Sequence, residues 1–336
     1  MVSPGRPVLV HQALFYGSEE ELLTTTVPFL REGLDAEDVV LAAAPHAKLC
    51  ALRDALGSDA CGVQFFDSGQ LYEHPVRTLA AYHDLLRSHA PRKVRGIGEL
   101  DWRGRAPEEI TEWARYEALV NAVFATSGAQ AICSYDTRDA APQALEAASR
   151  THTNLLGSHA PPCDYTDPQV FTAALDRLPL HPPPRDAHHR PIQAQDLSDV
   201  RSFIAEHAIR YGITGTTLSN LLTAITEVGT NALTHGLPPV TLHLWATSDY
   251  LICDISDHGH WRPDPLPGFI PPTTTPPHLG LWAVRMLTGT VQISTGRPGT
   301  TVRLHTHLPS PAEKAGRAGT VAGCGDVAGC GDVAGS

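Results

Sequence analysis

A run of prolines near the middle of the chain does most to limit how its 336 residues can fold. Residues 179–191 read PLHPPPRDAHHRP, and each proline lacks an amide hydrogen and has a fixed φ. The run is therefore predicted to form neither a helix nor a sheet ladder, and to act as a semi-stiff linker. It separates a domain over residues 8–178 from one over 192–309, and each is long enough to bury a core.

The sequence beyond residue 309 has a different composition from the rest. It repeats VAGCGD at 321–326 and again at 327–332, and few of its side chains are apolar enough to offset the entropy cost of ordering the chain. Residues 310–336 are therefore predicted to form a disordered, low-complexity tail.

Charge and cysteine content exclude several classes of protein. The formal net charge is −11, whereas a direct nucleic-acid partner needs a basic surface. No apolar run approaches the roughly 20 residues that cross a bilayer, and the first residues lack the pattern of a signal peptide. The seven cysteines include no CxxC pair, which suits a reducing compartment. We expect a cytoplasmic protein without a membrane partner.

Strand-like runs alternate with helical patterns between residues 7 and 150. The runs are VLVHQALFY, VVLAAA, GVQFFD, VRGIGEL and AICSYD, and the helical patterns lie between them. Such alternation predicts parallel strands joined by crossover helices, a doubly wound α/β domain. The turn after the first strand, YGSEEE, carries three carboxylates and neither phosphate-loop motif, so this domain is predicted not to be a nucleoside triphosphatase.

Several blocks of this half resemble one family. HQALFYGSEEELLTTTVPFLREGL, GELDWRGRAPEEITEWARYEALVN, CSYDTR and ASRTH are similar to the MEDS sensory domain of bacterial regulators, over residues 8–170. The resemblance implies a RecA-like α/β fold without its phosphate loop, and a small-molecule ligand or a partner that the domain senses. The recurrent family positions, which core packing or capping would also explain, are His11, Tyr16, Glu99, Trp102, Tyr116, Glu117 and Tyr135.

Residues 216–235 are predicted to form one amphipathic helix. Stepping about 100° per residue gathers its leucine, isoleucine and valine side chains on one core-facing arc. Glu227 and Asn231 fall on the opposite arc, four residues and about 6 Å apart along the axis. A solvated helix face would look the same from this helix alone.

Two later segments carry further polar signals. The strand LICDIS runs into Asp257, His258 and Gly259, where a carboxylate can accept a hydrogen bond from an amine and glycine lets the backbone turn under a flat ring. A helix, LGLWAVRML, then starts at Gly280, and its first amides and its dipole favour an anion. TVQIST and TTVRLHTHL, joined by GRPG, are predicted to close this half as a hairpin.

In this order the segments resemble the ATPase domain shared by gyrase, heat-shock chaperones, histidine kinases and anti-sigma-factor serine kinases. TEVGTNALTHG is similar to its N-box, DHG to its adenine loop, HLGLWAVRML to its second glycine box and GTTVRL to its closing strand, over residues 190–308. The short lid, the WAVRML helix and the GTTVRLH ending are most similar to the anti-sigma-factor kinases. The resemblance implies an α/β two-layer sandwich that binds ATP and Mg²⁺.

The resemblance also implies a role for each matching residue. Glu227 would be the general base, Asn231 would hold the Mg²⁺, and Asp257 would read the adenine amine. The supporting positions are Gly259, which gives the ring room, Gly280 and Leu281, which cradle phosphates, and Thr300, which supports the adenine end. The family usually has glycine where His278 stands, and this difference favours weaker binding or turnover.

The favoured interpretation is an ATP-dependent protein serine/threonine kinase of the anti-sigma-factor type. It would be controlled by the sensory domain and would bind a sigma factor or an anti-anti-sigma protein. Two alternatives stay open: a nucleotide-dependent protein-binding switch without phosphoryl transfer, and a histidine kinase that acts on another chain. No helical hairpin with a phosphoacceptor histidine is predicted in residues 150–195, and a homodimer is left open. Histidine pairs such as His258 with His260, or His305 with His307, lack the companions of a metal site.

Overall fold

The computed structural model describes residues 8–260, 268–269 and 280–309. His278 and the predicted tail over 310–336 lie outside the described residues. None of the described helices is both long and apolar enough to cross a membrane.

A six-stranded parallel sheet forms the centre of the amino-terminal half. Its strands are β1 (Val10–Tyr16), β2 (Val39–Ala44), β3 (Val63–Asp67), β4 (Val94–Gly98), β5 (Gln130–Asp136) and β6 (Asn154–Leu156). They lie in the order β3-β2-β4-β5-β1-β6. The helices of this half are α1 (Glu19–Asp35), α2 (His46–Leu56), α3 (Ser68–Leu71), α4 (Pro75–His89), α5 (Pro107–Val123), α6 (Pro142–Thr151) and α7 (Pro168–Leu175).

Helices cover both faces of this sheet. Along β1, Leu14 and Tyr16 pack in a core with α1 and α2, whereas Ala13 and Phe15 pack in a core with α4, α5 and α6. Successive side chains of a strand point to opposite faces, so a strand buried on both faces reads as a continuous apolar run such as VVLAAA in β2. The predicted doubly wound α/β architecture is confirmed.

A five-stranded antiparallel sheet forms the centre of the carboxy-terminal half. Its strands are β7 (His188–Ile192), β8 (Val240–Ala246), β9 (Tyr250–Asp257), β10 (Thr290–Gly296) and β11 (Gly299–His307). They lie in the order β10-β11-β9-β8-β7. Helices α8 (Leu197–Arg210), α9 (Gly215–His235) and α10 (Gly280–Leu287) pack in one core with this sheet. The predicted α/β two-layer sandwich is confirmed.

The prediction that residues 179–191 take no part in a sheet ladder is wrong at their carboxyl end. Residues 188–191 belong to β7, which pairs with β8 and places Pro191 opposite Thr241. Since β7 is the last strand of the sheet among the described residues, one of its sides pairs with none of the described strands, and proline is tolerated in such a position. An earlier part of the stretch contacts β11, where Arg303 donates a hydrogen bond to the His181 carbonyl at 2.7 Å.

A close backbone approach at the start of β11 gives a test of the second fold. Gly299 has φ +128°, and a Cβ there would lie 1.9 Å from the carbonyl oxygen of Asp257. Gly299→Ala should lower the free energy of unfolding by about 2–6 kcal/mol, because the backbone strain and the overpacking each cost about 1–3 kcal/mol. The control is Gly215→Ala, where φ is +60° and no described atom lies within 4 Å of the added carbon.

The control should cost only about 1–2 kcal/mol, the price of a left-handed conformation alone. Both values can be measured by urea denaturation of the full chain. Equal losses in the two variants would contradict the close approach between β11 and β9.

Candidate functional site

Helix α9 supplies two of the predicted polar residues. It ends at His235, as the sequence predicts, and its apolar side packs against the second sheet. Glu227 and Asn231 are half-buried, and neither belongs to that apolar side. The residues at 227, 231 and 235 follow one another at steps of about 6 Å along the axis, so they form a polar stripe that runs to the end of the helix.

Asp257 lies buried at the end of β9, where two amides hold its carboxylate. Oδ1 accepts hydrogen bonds from the Gly259 amide at 2.6 Å and from the Leu237 amide at 3.2 Å. Leu237 stands two residues after the end of α9, so the carboxylate is fixed against that helix. Oδ2 has no hydrogen-bond partner among the described residues, and it can therefore accept a hydrogen bond from an exocyclic amine.

Gly259 and Thr300 complete this end of the site. A Cβ on Gly259 would lie 2.7 Å from Asp257 Oδ1 and 3.0 Å from the Gly236 Cα, so a side chain does not fit there. Thr300 pairs with Asp257 across β11 and β9, and its Oγ1 donates to the Gly259 carbonyl at 2.9 Å. Asp257, Gly259 and Thr300, here called the adenine-end residues, thus form one hydrogen-bonded unit.

Gly280 begins α10 and lies beside Glu227. Its φ is +45°, and a Cβ on it would lie 4.0 Å from Glu227 Oε1. The Leu281 side chain is half-buried against the second core, so its backbone is the part that can meet a ligand. The first amides of a helix have no partner within the helix and attract anions. Glu227, Gly280 and Leu281 are here called the transfer-end residues.

The structure therefore gathers the predicted residues into two groups that α9 connects. Glu227 stands eight residues, or about 12 Å, before the end of α9, which abuts the adenine-end residues. Asn231 lies halfway between the two groups. A nucleoside triphosphate has a length of this order, with its base at one end and its γ-phosphate at the other.

Two of the recurrent positions in the first half, Tyr16 and Glu99, belong to a buried polar cluster. The Tyr16 hydroxyl donates to both Glu99 oxygens, at 2.9 and 3.0 Å, and Lys48 contacts both residues. Asp136 ends β5 at 3.3 Å from Lys48, and hydrogen bonds from Arg138 lower the pKa of Asp136 to about 2. The cluster fills the carboxyl edge of the sheet, where nucleotide-binding folds place a phosphate loop, and its cations are already paired with carboxylates.

The other recurrent positions surround a cavity of about 90 Å³ between the first sheet and helices α4 and α5. His11 and Glu117 meet at its wall, where His11 Nε2 lies 3.3 Å from Glu117 Oε2. Trp102, Tyr116 and Tyr135 are buried in the core and also line the cavity. Core packing thus explains the three aromatic rings, whereas it does not explain why two ionisable side chains meet there.

Contacts between the two halves were not predicted. Arg285 is buried on α10 and pairs with Glu112 of α5, which also pairs with Arg115 at 3.2 Å. Arg115 reaches Asp176 at 2.7 Å. The signal for this network is a single arginine inside the apolar run LGLWAVRML, because a charge on a buried helix needs a partner.

A second cavity, of about 550 Å³, lies between the two halves. Its walls include Arg77 and Glu109 from the first half and Asn220 and Leu287 from the second. Neither the adenine-end residues nor the transfer-end residues line it. It is therefore separate from the predicted nucleotide site.

Comparisons with known proteins agree with this two-part organisation. Residues 10–153 match MEDS, the methanogen/methylotroph, DcmR sensory domain, and residues 191–306 match the histidine kinase-like ATPase domain. No curated protein matches the sequence. Among solved structures, the RsbU and RsbW domains of Rv1364c from Mycobacterium tuberculosis are 20% identical, with a TM-score of 0.30. That match covers 38% of this chain and 34% of the other, so it spans about a third of that protein.

The orientation of the Asp257 carboxylate gives a prediction for binding. In Asp257→Asn the amide oxygen can still accept from Leu237 and Gly259, so the NH₂ group would take the place of Oδ2. Two donors would then face each other, and the affinity for ATP should fall by about 1–3 kcal/mol, the cost of an unmade buried hydrogen bond. Calorimetric titration with ATP and Mg²⁺ measures the change.

The matched control is Asp249→Asn, the same chemical change at an exposed residue that precedes β9. It should leave the affinity for ATP unchanged. Equal affinities in both variants would remove Asp257 from the nucleotide site.

Proposed function

We propose that this chain, in which a MEDS domain precedes a histidine kinase-like ATPase domain, is an ATP-dependent protein serine/threonine kinase of the anti-sigma-factor type. The observation that carries the proposal is the position of Glu227, whose carboxylate lies beside the first residue of α10. A base in that place stands next to the amides that would cradle a terminal phosphate. The protein partner would be a sigma factor or an anti-anti-sigma protein that supplies the acceptor hydroxyl.

The residues present fit an adenine nucleotide and Mg²⁺. Asp257 offers Oδ2 to the adenine amine, and Gly259 keeps the backbone close to that carboxylate. Asn231 presents a half-buried amide whose oxygen is a hard ligand of the kind that Mg²⁺ takes. When bound, Mg²⁺ would neutralise the phosphate charge that opposes attack by a nucleophile.

Glu227 would accept the proton of the attacking hydroxyl. The residue stands on α9, which packs with the second sheet and with α10 in one core, so its backbone is fixed relative to Gly280. Fixed placement matters because a general base acts only within hydrogen-bond reach of the proton that it takes. The transfer-end residues therefore combine a base with a phosphate cradle.

A histidine kinase that phosphorylates its own chain has little support in the fold, whereas one that acts on another chain would need no such helices here. A phosphoacceptor histidine stands on a pair of long helices, whereas between residues 152 and 195, all of which are described, α7 is the only α-helix and has eight residues. His152, in this region, is fully buried and cannot meet a phosphoryl donor. A binding switch without phosphoryl transfer is the second candidate, and the imidazole of His278 in the glycine box favours it.

Control by the amino-terminal half would act through α10, which begins at the transfer end and continues into the contact between the halves. Arg77 donates to the Met286 carbonyl at 3.1 Å, and His74 bonds the Thr288 carbonyl at 3.0 Å. Trp282 and Met286 pack against the core that α4 and α5 share with the first sheet. A movement of α5 would therefore displace α10, which begins with two of the transfer-end residues.

Buried charges make the contact between α10 and the first half sensitive to the loss of a single charge. Arg285, Glu112, Arg115 and Asp176 form one chain of ion pairs, and all four side chains are buried. Removing one partner of a buried pair typically costs about 3–5 kcal/mol, because the other charge is left without compensation. All four charges are thus compensated only while α10 lies against α5.

The first prediction of this function separates binding from chemistry. Glu227→Ala should leave the affinity for ATP nearly intact and should lower phosphoryl transfer by about 10²–10⁴-fold, the contribution of a positioned base. Asn231→Ala should instead weaken binding that depends on Mg²⁺. Calorimetry measures the affinity, and labelled γ-phosphate measures transfer to the protein partner or to water.

Thr223→Ala is the control, because Thr223 is exposed on α9 one turn before Glu227. It should change neither quantity. Full transfer activity in both site variants would contradict the kinase proposal. Nucleotide binding without any transfer in the unmodified chain would favour the binding switch.

The second prediction concerns control. Glu112→Gln leaves Arg285 and Arg115 buried with one negative charge fewer, so α10 should lose its fixed position. The affinity for ATP should then fall by about 5–150-fold, the usual range of coupling between sites. Glu146→Gln, an exposed residue of α6, should change nothing. The double variant Glu112→Gln with Arg285→Met removes both charges of the pair and should recover part of the affinity. Unchanged affinity in Glu112→Gln would contradict control through α10.

A further inference from the structure

Four side chains that belong to different parts of the chain meet in the interior of the first half. His11 stands on β1, Cys133 on β5, Glu117 on α5 and His152 directly after α6. Each offers one ligand atom, and the four atoms lie within 4.8 Å of one another. Because long stretches of sequence separate the four residues, no short motif reveals them, and only the fold brings them together.

The distances between these atoms suit a tetrahedral metal centre. His11 Nε2 lies 3.3 Å from Cys133 Sγ and 3.3 Å from Glu117 Oε2. Glu117 Oε2 lies 3.5 Å from Cys133 Sγ and 3.6 Å from His152 Nε2. Metal–ligand bonds of about 2.0–2.3 Å give a tetrahedron with edges of about 3.3–3.8 Å, which matches these four separations, and the other two lie within 4.8 Å.

Neighbouring groups fix the tautomer of both imidazoles, so that each neutral ring has its hydrogen on Nδ1 and its lone pair on Nε2. His152 Nδ1 lies 3.0 Å from the Ala148 carbonyl, which can only accept, so Nδ1 carries the hydrogen. The Asn121 Nδ2 group donates to the Thr151 carbonyl at 2.7 Å, which leaves Asn121 Oδ1 to accept from His11 Nδ1 at 3.2 Å. Metal-binding histidines typically have this arrangement, with the second nitrogen donating to a carbonyl oxygen.

With both imidazoles neutral, the four ligand atoms have few hydrogens to share. Two imidazole lone pairs then face a carboxylate, and the hydrogen between the four groups is that of the Cys133 thiol, which points to Glu117. His152 is fully buried, and its Nε2 has no hydrogen-bond partner among the described residues. Lone pairs that face one another in a buried place are costly unless a cation lies between them.

We propose that His11, Glu117, Cys133 and His152 bind a zinc-like divalent cation. A thiolate, two imidazoles and a carboxylate form the mixed soft and hard donor set that Zn²⁺ takes in tetrahedral sites. Binding replaces the Cys133 S–H bond with a sulfur–metal bond and releases one proton to water. His11, Glu117 and Cys133 also line the aromatic cavity, which extends to the half-buried Leu9 and Gln130 and provides a route of entry.

The test uses the full chain, stripped of metal with a chelator and then titrated with Co²⁺ followed by Zn²⁺. We expect one Co²⁺ per chain, the intense visible bands of a tetrahedral centre, and a thiolate-to-cobalt charge-transfer band that Zn²⁺ abolishes. Cys133→Ser should remove the charge-transfer band. Asn121→Ala should keep the band but weaken binding by about 10–100-fold, because Asn121 acts as a positioning residue for His11.

Cys50→Ser is the matched control, because it removes an exposed thiol that lies 3.7 Å from His46 and could bind Co²⁺ at the surface. The band should survive this change. The proposal is overturned if the unmodified chain gives no thiolate band, which would indicate a cluster that holds protons only, or if the band survives Cys133→Ser. Should Cys133→Ser fail to fold by circular dichroism, unchanged affinity in Asn121→Ala or loss of the band in Cys50→Ser would overturn it as well.

Discussion

Arg285 is a full positive charge on a short helix that is otherwise apolar, and the contact between the halves follows from how this charge is neutralised. Burial lowers the pKa of Arg285, whereas Glu112 on α5 opposes that shift by pairing with it. Moving a guanidinium out of water costs several kcal/mol, so α10 is stable in its place only while α5 lies against it. A carboxylate of the first half therefore neutralises a buried charge on a helix of the second half.

Most of the fold could be predicted from the sequence, because the apolar runs and helical patterns of the two halves agree with the way their strands and helices pack. The two-sided burial of β2 left a continuous apolar run, and His46–Leu56 forms a helix with the bounds that its pattern predicts. β6 and α7 were not predicted, since the three residues of β6 are too few for a periodicity and α7 lies in a segment rich in prolines and loop-like residues. The end of the proline stretch was misjudged because an edge strand tolerates a proline that an inner strand would not.

The candidate nucleotide site was predictable where its residues follow one another along the chain. Glu227 and Asn231 share one helix, and Asp257 and Gly259 share one turn, so spacing alone brings each pair together. The approach of Gly280 to Glu227 depends on how α10 packs on α9, and only a resemblance could suggest it in advance. The cluster around His152 left no comparable trace, because its four members come from separate segments of the chain and no short spacing joins them.

Helix α5 joins these sites because it is buried for most of its length. Ten of its residues, among them Glu112, Arg115 and Glu117, are buried, so its charges cannot belong to a solvated face. Each charge must then find a partner: Glu112 reaches α10, and Glu117 reaches the histidine and cysteine cluster. The two glutamates stand five residues apart on one helix, or about 7.5 Å along its axis. Because a helix is rigid over so short a distance, a shift of α5 at Glu117 would also move Glu112, and a buried charge that loses its partner costs about 3–5 kcal/mol.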